Sequence, residues 1–145
     1  CIQPNSDPGS YEMLKAIEKY ENKDWFQFTS TLPREIFVNL LRNTATIVGN
    51  SSTGLFEGPH YNKPVINIGN RQKGRLNAGN VDFVPYDKDL IIKGIEKAIF
   101  DKKYINKINR IVNPFGDGTA AKKVRDIIES IDPNDQNWLV KKKFC

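Results

Sequence analysis

The order Val48-Gly49-Asn50-Ser51-Ser52-Thr53-Gly54 suits one kind of chemistry: gathering hydrogen-bond donors around an anion. Gly49 permits a sharp turn. Ser51 and Ser52 add hydroxyls where a helix would begin, and a helix start presents outward N–H groups with about half a positive charge. Gly54 keeps the backbone open to close approach. Glu57, at the start of the same helix, offers a carboxylate that could accept from a pair of hydroxyls. Arg71, Lys73 and Arg75 follow in a glycine-containing loop, and the donor fork of arginine matches phosphate oxygens. A nucleoside diphosphate carries the complementary groups, ribose hydroxyls for the acid and phosphate oxygens for the base. The spacing is neither GxGxxG nor a Walker sequence. Each signal has a plainer reading when taken alone: a serine N-cap, a solvated helix glutamate, an ordinary basic loop. Together they fall at the carboxyl ends of successive strands, where open α/β sheets bind ligands.

These groups need a scaffold, and the hydrophobic pattern supplies it. Thr44 to Val48 is a β-branched run that reads as a central strand. A helix starts near Thr53. Pro64-Val65-Ile66-Asn67-Ile68 is the next strand, and Asn80 to Val84 another. Asp87 caps a helix with Leu90, Ile91, Ile95, Ala98 and Ile99 inward. A shorter helical piece covers Tyr104 to Ile111. Ala120, Ala121, Val124, Ile127, Ile128 and Ile131 form the cleanest amphipathic helix, stopped by Asp132-Pro133. Earlier in the chain, Ile2-Gln3 reads as the end of a strand. Asp7-Pro8 opens a helix with Met13, Leu14, Ile17 and Tyr20 on one face. Trp25 to Thr29 reads as an aromatic strand, and Pro33 opens a helix with Ile36, Phe37, Leu40 and Leu41 inward. Alternating strands and helices predict a Rossmann-like parallel sheet with helices on both faces. Residues 1–132 make up this domain, and 133–145 form a tail with Trp138, Leu139, Val140 and Phe144.

The bulk properties narrow the field. A chain of 145 residues with mean hydropathy −0.53 fits one soluble domain. No apolar run approaches the roughly 20 residues of a membrane helix. The formal charge of +5 favours anionic ligands but is too mild to argue for nucleic acid. Lys141, Lys142 and Lys143 read as a solvated tail. Cys1 and Cys145 have neither metal-ligand nor catalytic spacing, and a reducing cytoplasm is the simplest setting for them. The chain does not begin with Met and reads as a piece of a longer protein.

Other residues attract functional readings and lose them. His60 is the lone histidine, with no second metal ligand nearby in sequence, and reads as a helix-end histidine. Asp7 reads as an N-cap. Asn113-Pro114-Phe115-Gly116-Asp117-Gly118 reads as a structured turn into the last helix, with a pocket-facing role left open. No Ser-His-Asp set and no acid/base carboxylate pair is visible. By its own residues the chain binds better than it transforms.

Val48 to Gly54, Glu57, Pro64 to Gly69 and Arg71-Gln72-Lys73-Gly74-Arg75 resemble the C-terminal domain of UDP-N-acetylglucosamine 2-epimerases. The hydrolysing, sialic-acid-pathway branch is the nearest. Asn80-Val81, Pro4-Asn5-Ser6-Asp7 and the 113–118 segment resemble it too. The resemblance implies the C-terminal half of a cytoplasmic GT-B enzyme of cell-surface polysaccharide synthesis. Ser51 and Ser52 would hold phosphate, Glu57 the ribose and Arg71 the nucleotide pocket, with Gly54 in the same UDP site and the backbone near Leu32 at the uracil. The partners implied are UDP and UDP-N-acetylglucosamine or a related UDP-diacetamido sugar, a missing N-terminal domain and a second copy in a homodimer. No cofactor, metal, nucleic acid or membrane is implied. Catalytic carboxylates would lie in the N-terminal domain and a histidine upstream of Pro4, so no catalytic residue falls in this chain. UDP would leave by anti elimination to 2-acetamidoglucal, with C2 inverted on re-addition. Thr53 and Gly58-Pro59-His60 depart from the commonest pattern and leave the sugar open. Two readings compete: the donor domain of a GT-B glycosyltransferase, and a stand-alone nucleotide-binding module.

Overall fold

In the computed structural model, residues 1–134 are described, and the chain divides into two compact units, Cys1–Thr44 and Ala45–Cys145. The sequence readings placed on Trp138, Leu139, Val140, Lys141 to Lys143, Phe144 and Cys145 lie outside the described residues.

The second unit holds a three-stranded, all-parallel sheet in the order β1-β2-β3, with β1 at Ile47–Gly49, β2 at Val65–Ile68 and β3 at Val81–Val84. Its register sets Gly49 beside Asn67, and Asn67 beside Phe83. Alternation along β2 sends Val65 and Asn67 to one face and Ile66 and Ile68 to the other. The short helix α3 (Thr53–Phe56) and the 3-10 turn Gly58–Tyr61 lie on the Val65 face, where Gly54 and Gly58 abut its methyls. The long helix α4 (Lys88–Phe100) lies on the Ile66 face, with Gly94 against that side chain. The two-faced parallel architecture read from the sequence is therefore present. Ile66, Ala98, Tyr104 and Ile108 form its main core, joined by Val84, Ile95 and Ile111, with Tyr104 and Ile108 supplied by α5 (Lys102–Ile108).

Local chemistry sets the element ends. Asp87 caps α4 by accepting from Leu90 N–H at 2.9 Å, as its position before a helix requires. Asp101 does the same for α5, accepting from Lys103 and Tyr104 N–H. The link between β2 and β3 is a loop, as its glycines and basic residues lead one to expect. It runs from Gly69 to Asn80, long enough to cross between parallel strands.

The first unit departs further from the sequence reading. Helix α1 spans Ser10–Glu18 and does not open at Asp7-Pro8. The Asp7 carboxylate instead meets Asn5 Nδ2 at 2.8 Å, and Gly9 turns left-handed at φ 92° before the helix begins. No residue of α1 is buried, and Met13 and Tyr20 are exposed. Trp25 to Thr29 does not form a strand. A turn closed by Phe26 N–H to Lys23 O consumes its first half, and Thr29 alone bridges Ile2. Helix α2 (Arg34–Asn43) follows Pro33 and buries Leu41, while Ile36 and Leu40 face outward.

The last helix, α6 (Ala120–Glu129), has the predicted amphipathic pattern but no buried residue. Val124, Ile127 and Ile128 remain more than half exposed, at 54%, 58% and 61%. Among the described residues no helix is long and apolar enough to cross a membrane.

Tyr104 gives the core a pH signature. Burial first, then the Asp82 carboxylate, pushes its phenol far above the ordinary value of 10.0. Above that pH the unfolded chain loses this proton while the folded chain keeps it. The folded state then binds more protons, so stability falls as pH rises. Urea unfolding of Tyr104→Phe from about pH 9 to about pH 11 is expected to show a flatter alkaline loss than wild type. An identical slope would mean the buried phenol ionises freely.

Candidate functional site

The parallel register joins the carboxyl ends of β1 and β2, so the segments leaving them start side by side. After β1 comes the turn Gly49-Asn50-Ser51-Ser52. Gly49 sits at φ 144°, in the region that favours glycine. Ser51 is exposed, and its Oγ accepts from Thr53 N–H at 3.3 Å. With that lone pair engaged, the Ser51 hydroxyl proton is free to point at an anion. Ser52 is half-buried at the N-cap position of α3, where its side chain makes no cap bond and its carbonyl accepts from Leu55 and Phe56 N–H.

The helix is shorter than the sequence suggests. α3 has four residues before it tightens into the 3-10 turn. A single turn sums few peptide dipoles, so the half-charge of a long helix does not apply. What this corner offers is therefore a set of individual donors and not a helix field.

Gly54 is buried, and a Cβ built on it would lie 2.6 Å from Val65 Cγ1. Its missing side chain lets α3 lie flat against β2. Glu57 caps the C-terminus of α3, half-buried, with one carboxylate oxygen, Oε2, fully shielded from solvent. Arg71, Lys73 and Arg75 are exposed on the loop after β2. Leu32 belongs to the first unit, half-buried two residues before α2.

Three buried carboxamides tie this corner together, and none stands out in the sequence as a site residue. Gln72, 2% exposed, donates from Nε2 to the Asn50 carbonyl at 2.9 Å, joining the Arg71 loop to the serine turn. Asn80, fully buried, donates from Nδ2 to Gly54 O and Lys63 O, each at 3.1 Å, and so clamps α3 to the start of β2. Asn67, also fully buried, donates to Gly69 O at 3.1 Å. Their amide oxygens are buried without a hydrogen-bond partner among the described residues. The signal available in sequence was a polar residue inside an apolar strand, Asn67, and an uncharged one inside a basic loop, Gln72.

The 113–118 segment joins the same helix. Phe115 packs edge-on against Phe56 with centroids 5.0 Å apart. Asn113 Oδ1 accepts from Phe115 N–H, so its Nδ2 must be the atom 2.9 Å from His60 Nδ1. His60 is exposed and serves here as an anchor for the turn. Asp117 is held below the usual carboxylate range by its bonds from the Thr119 hydroxyl and N–H. No group of three or more His, Cys, Asp or Glu among the described residues could hold a metal ion.

The chain's similarities to known proteins bear on this corner. The family model for UDP-N-acetylglucosamine 2-epimerase matches residues 1–129. A UDP-N,N'-diacetylbacillosamine 2-epimerase (hydrolyzing) of Legionella pneumophila is 29% identical over 94% of this chain and 35% of its own length. The polysialic acid biosynthesis protein P7 of Escherichia coli is 32% identical over the same shares. The chain thus spans about a third of the length of the curated relatives it matches. Among solved structures, a co-structure of S. aureus MnaA with UDP superposes with a TM-score of 0.67 at 23% identity, covering 88% of this chain and 35% of the other. This likeness gives the fold, the C-terminal half of a GT-B architecture.

Gly54 offers a direct test of how α3 is seated. Val65 is only 2% exposed and has no room to retreat. Gly54→Ala is expected to cost about 1–3 kcal/mol by urea unfolding, the usual price of overpacking. A variant as stable as wild type would show that α3 does not depend on this contact.

Proposed function

The chain belongs to the UDP-N-acetylglucosamine 2-epimerase family, and from that premise we propose that it supplies the UDP grip of such an enzyme. The observation that carries this reading is the bond from Gln72 to Asn50. It makes one corner of two loops, one rich in hydroxyl donors and one rich in cations. In this reading the Ser51 and Ser52 hydroxyls and nearby amides take the diphosphate oxygens. Gly54 acts through the close seating of α3. Glu57 accepts from the ribose hydroxyls, and Arg71 offers its guanidinium to the nucleotide. In this reading residues 1–132 make up the nucleotide-binding domain.

The reaction of the whole enzyme follows as elimination. The bond from C1 to the UDP oxygen breaks, the proton at C2 leaves to a base, and a double bond forms between C1 and C2. Water or UDP then adds its oxygen to C1 while C2 takes a proton on the opposite face, giving N-acetylmannosamine when water adds and UDP-N-acetylmannosamine when UDP returns. Binding the departing diphosphate by many donors favours the step, because negative charge on the leaving oxygen grows in the transition state. This chain offers those donors, while the acid/base groups belong to the N-terminal domain. The substrate is UDP-N-acetylglucosamine or a related UDP-diacetamido sugar, and the enzyme works as a cytoplasmic homodimer. Family membership favours this reading over a glycosyltransferase donor domain, which would grip UDP by similar groups.

Calorimetry with UDP, UMP and ADP tests the proposal. UDP is expected to bind more tightly than UMP, which lacks the second phosphate, and than ADP, which lacks the uracil. Equal affinity for ADP would remove base recognition. Glu57→Ala and Arg71→Ala are each expected to weaken UDP binding by roughly 1–3 kcal/mol, the usual scale for a hydrogen bond to a charged group. Unchanged titrations for both variants would take these residues out of the pocket.

A further inference from the structure

We infer that Gln72 is a positioning residue that fixes the Asn50–Ser51 peptide and so aims the Ser51 N–H at the diphosphate; this rests on the diphosphate reading above.

Gln72 is the side chain that its loop turns inward. Arg71 and Lys73, on either side, are exposed, whereas Gln72 is 2% exposed. Burying a primary amide is costly unless its hydrogen bonds are recovered. Gln72 recovers one, from Nε2 to the Asn50 carbonyl at 2.9 Å, while Oε1 is buried without a partner among the described residues. A side chain satisfied on one end contributes little net stability, and an apolar residue of the same shape would do as well. What the amide supplies is direction.

That direction follows from the geometry of the peptide unit. The Asn50 carbonyl and the Ser51 N–H belong to one planar trans group, so they point opposite ways. Gln72 draws the carbonyl toward the buried side. The Ser51 N–H is thereby turned away from Gln72, on an exposed residue whose hydroxyl oxygen accepts from Thr53 N–H and leaves its O–H available to donate. Amide and hydroxyl of Ser51 then form a preorganised pair of donors. Without Gln72 the same peptide could rotate through paired changes in ψ of Asn50 and φ of Ser51, the two torsions that flank it.

Gln72→Met tests this in the full chain, since methionine keeps length and volume but has no donor. Its urea midpoint is expected to match wild type, because the half-buried Asn50 carbonyl can take water instead. NMR relaxation of the ligand-free variant is expected to show a lower order parameter at the Ser51 N–H. UDP affinity is expected to fall about tenfold, near the worth of one hydrogen bond, with uridine affinity unchanged and the UDP-induced shift of the Ser51 amide reduced. Gln72→Glu, whose carboxylate cannot donate, is expected to lose at least as much. UDP binding and Ser51 dynamics like wild type in Gln72→Met would overturn the inference. So would equal losses for UDP and uridine with a lowered urea midpoint, which mark a structural role only. If wild type itself bound UDP no better than uridine, the diphosphate reading would fall; the ligand-free relaxation would then separately decide whether Gln72 orders the Ser51 peptide.

Discussion

The parallel pairing of β1 with β2 is the constraint on which the corner depends. It sets Gly49 beside Asn67, so the chain leaves both strands at the same edge. The pairing is held by burial on two sides. Val65 meets the glycines of α3 and its 3-10 turn on one face, and Ile66 meets Gly94 and the α4–α5 core on the other. A parallel strand covered on both faces has to be apolar, and β2 is, until Asn67. The small residues are as necessary as the large ones, because Gly54 and Gly94 set how near each helix lies to the sheet.

Polar groups then lock what the apolar groups bring together. Asn80 ties α3 to the strand entrance, and Gln72 ties the serine turn to the cationic loop. Each amide donates to a backbone carbonyl, which constrains the main chain and not only a side chain. The exposed salt bridge of Lys97 with Asp82, at 2.7 Å, contributes little by comparison, since water screens it. The corner is therefore a backbone arrangement held from behind by buried amides, with serine hydroxyls at its front.

Much of the second unit was legible in the sequence. β1, β2, β3, the Asp87 cap and α4 follow from β-branched runs, a 3.6-residue period and cap chemistry, all of them local signals. The first unit was less legible. Trp25 to Thr29 has strand composition, yet a turn at its start and a lone partner in Ile2 leave no ladder to join. Asp7-Pro8 has helix-start chemistry, yet Asn5 takes the carboxylate and Gly9 breaks the run. In both cases a neighbour won the group that the pattern had assigned to regular structure.

The residues themselves determined the ingredients of the corner: hydroxyls at Ser51 and Ser52, a carboxylate at Glu57, cations at Arg71, Lys73 and Arg75, and strands to carry them. Those follow from side-chain chemistry and short-range periodicity, which a linear string records. Tertiary structure alone decided that α3 would stop after one turn, that Gly54 would face Val65, and that Gln72 would turn inward to Asn50. These depend on contacts between residues far apart in the chain, such as the separation of 22 between Gln72 and Asn50, and no local pattern encodes which partner a buried amide will find.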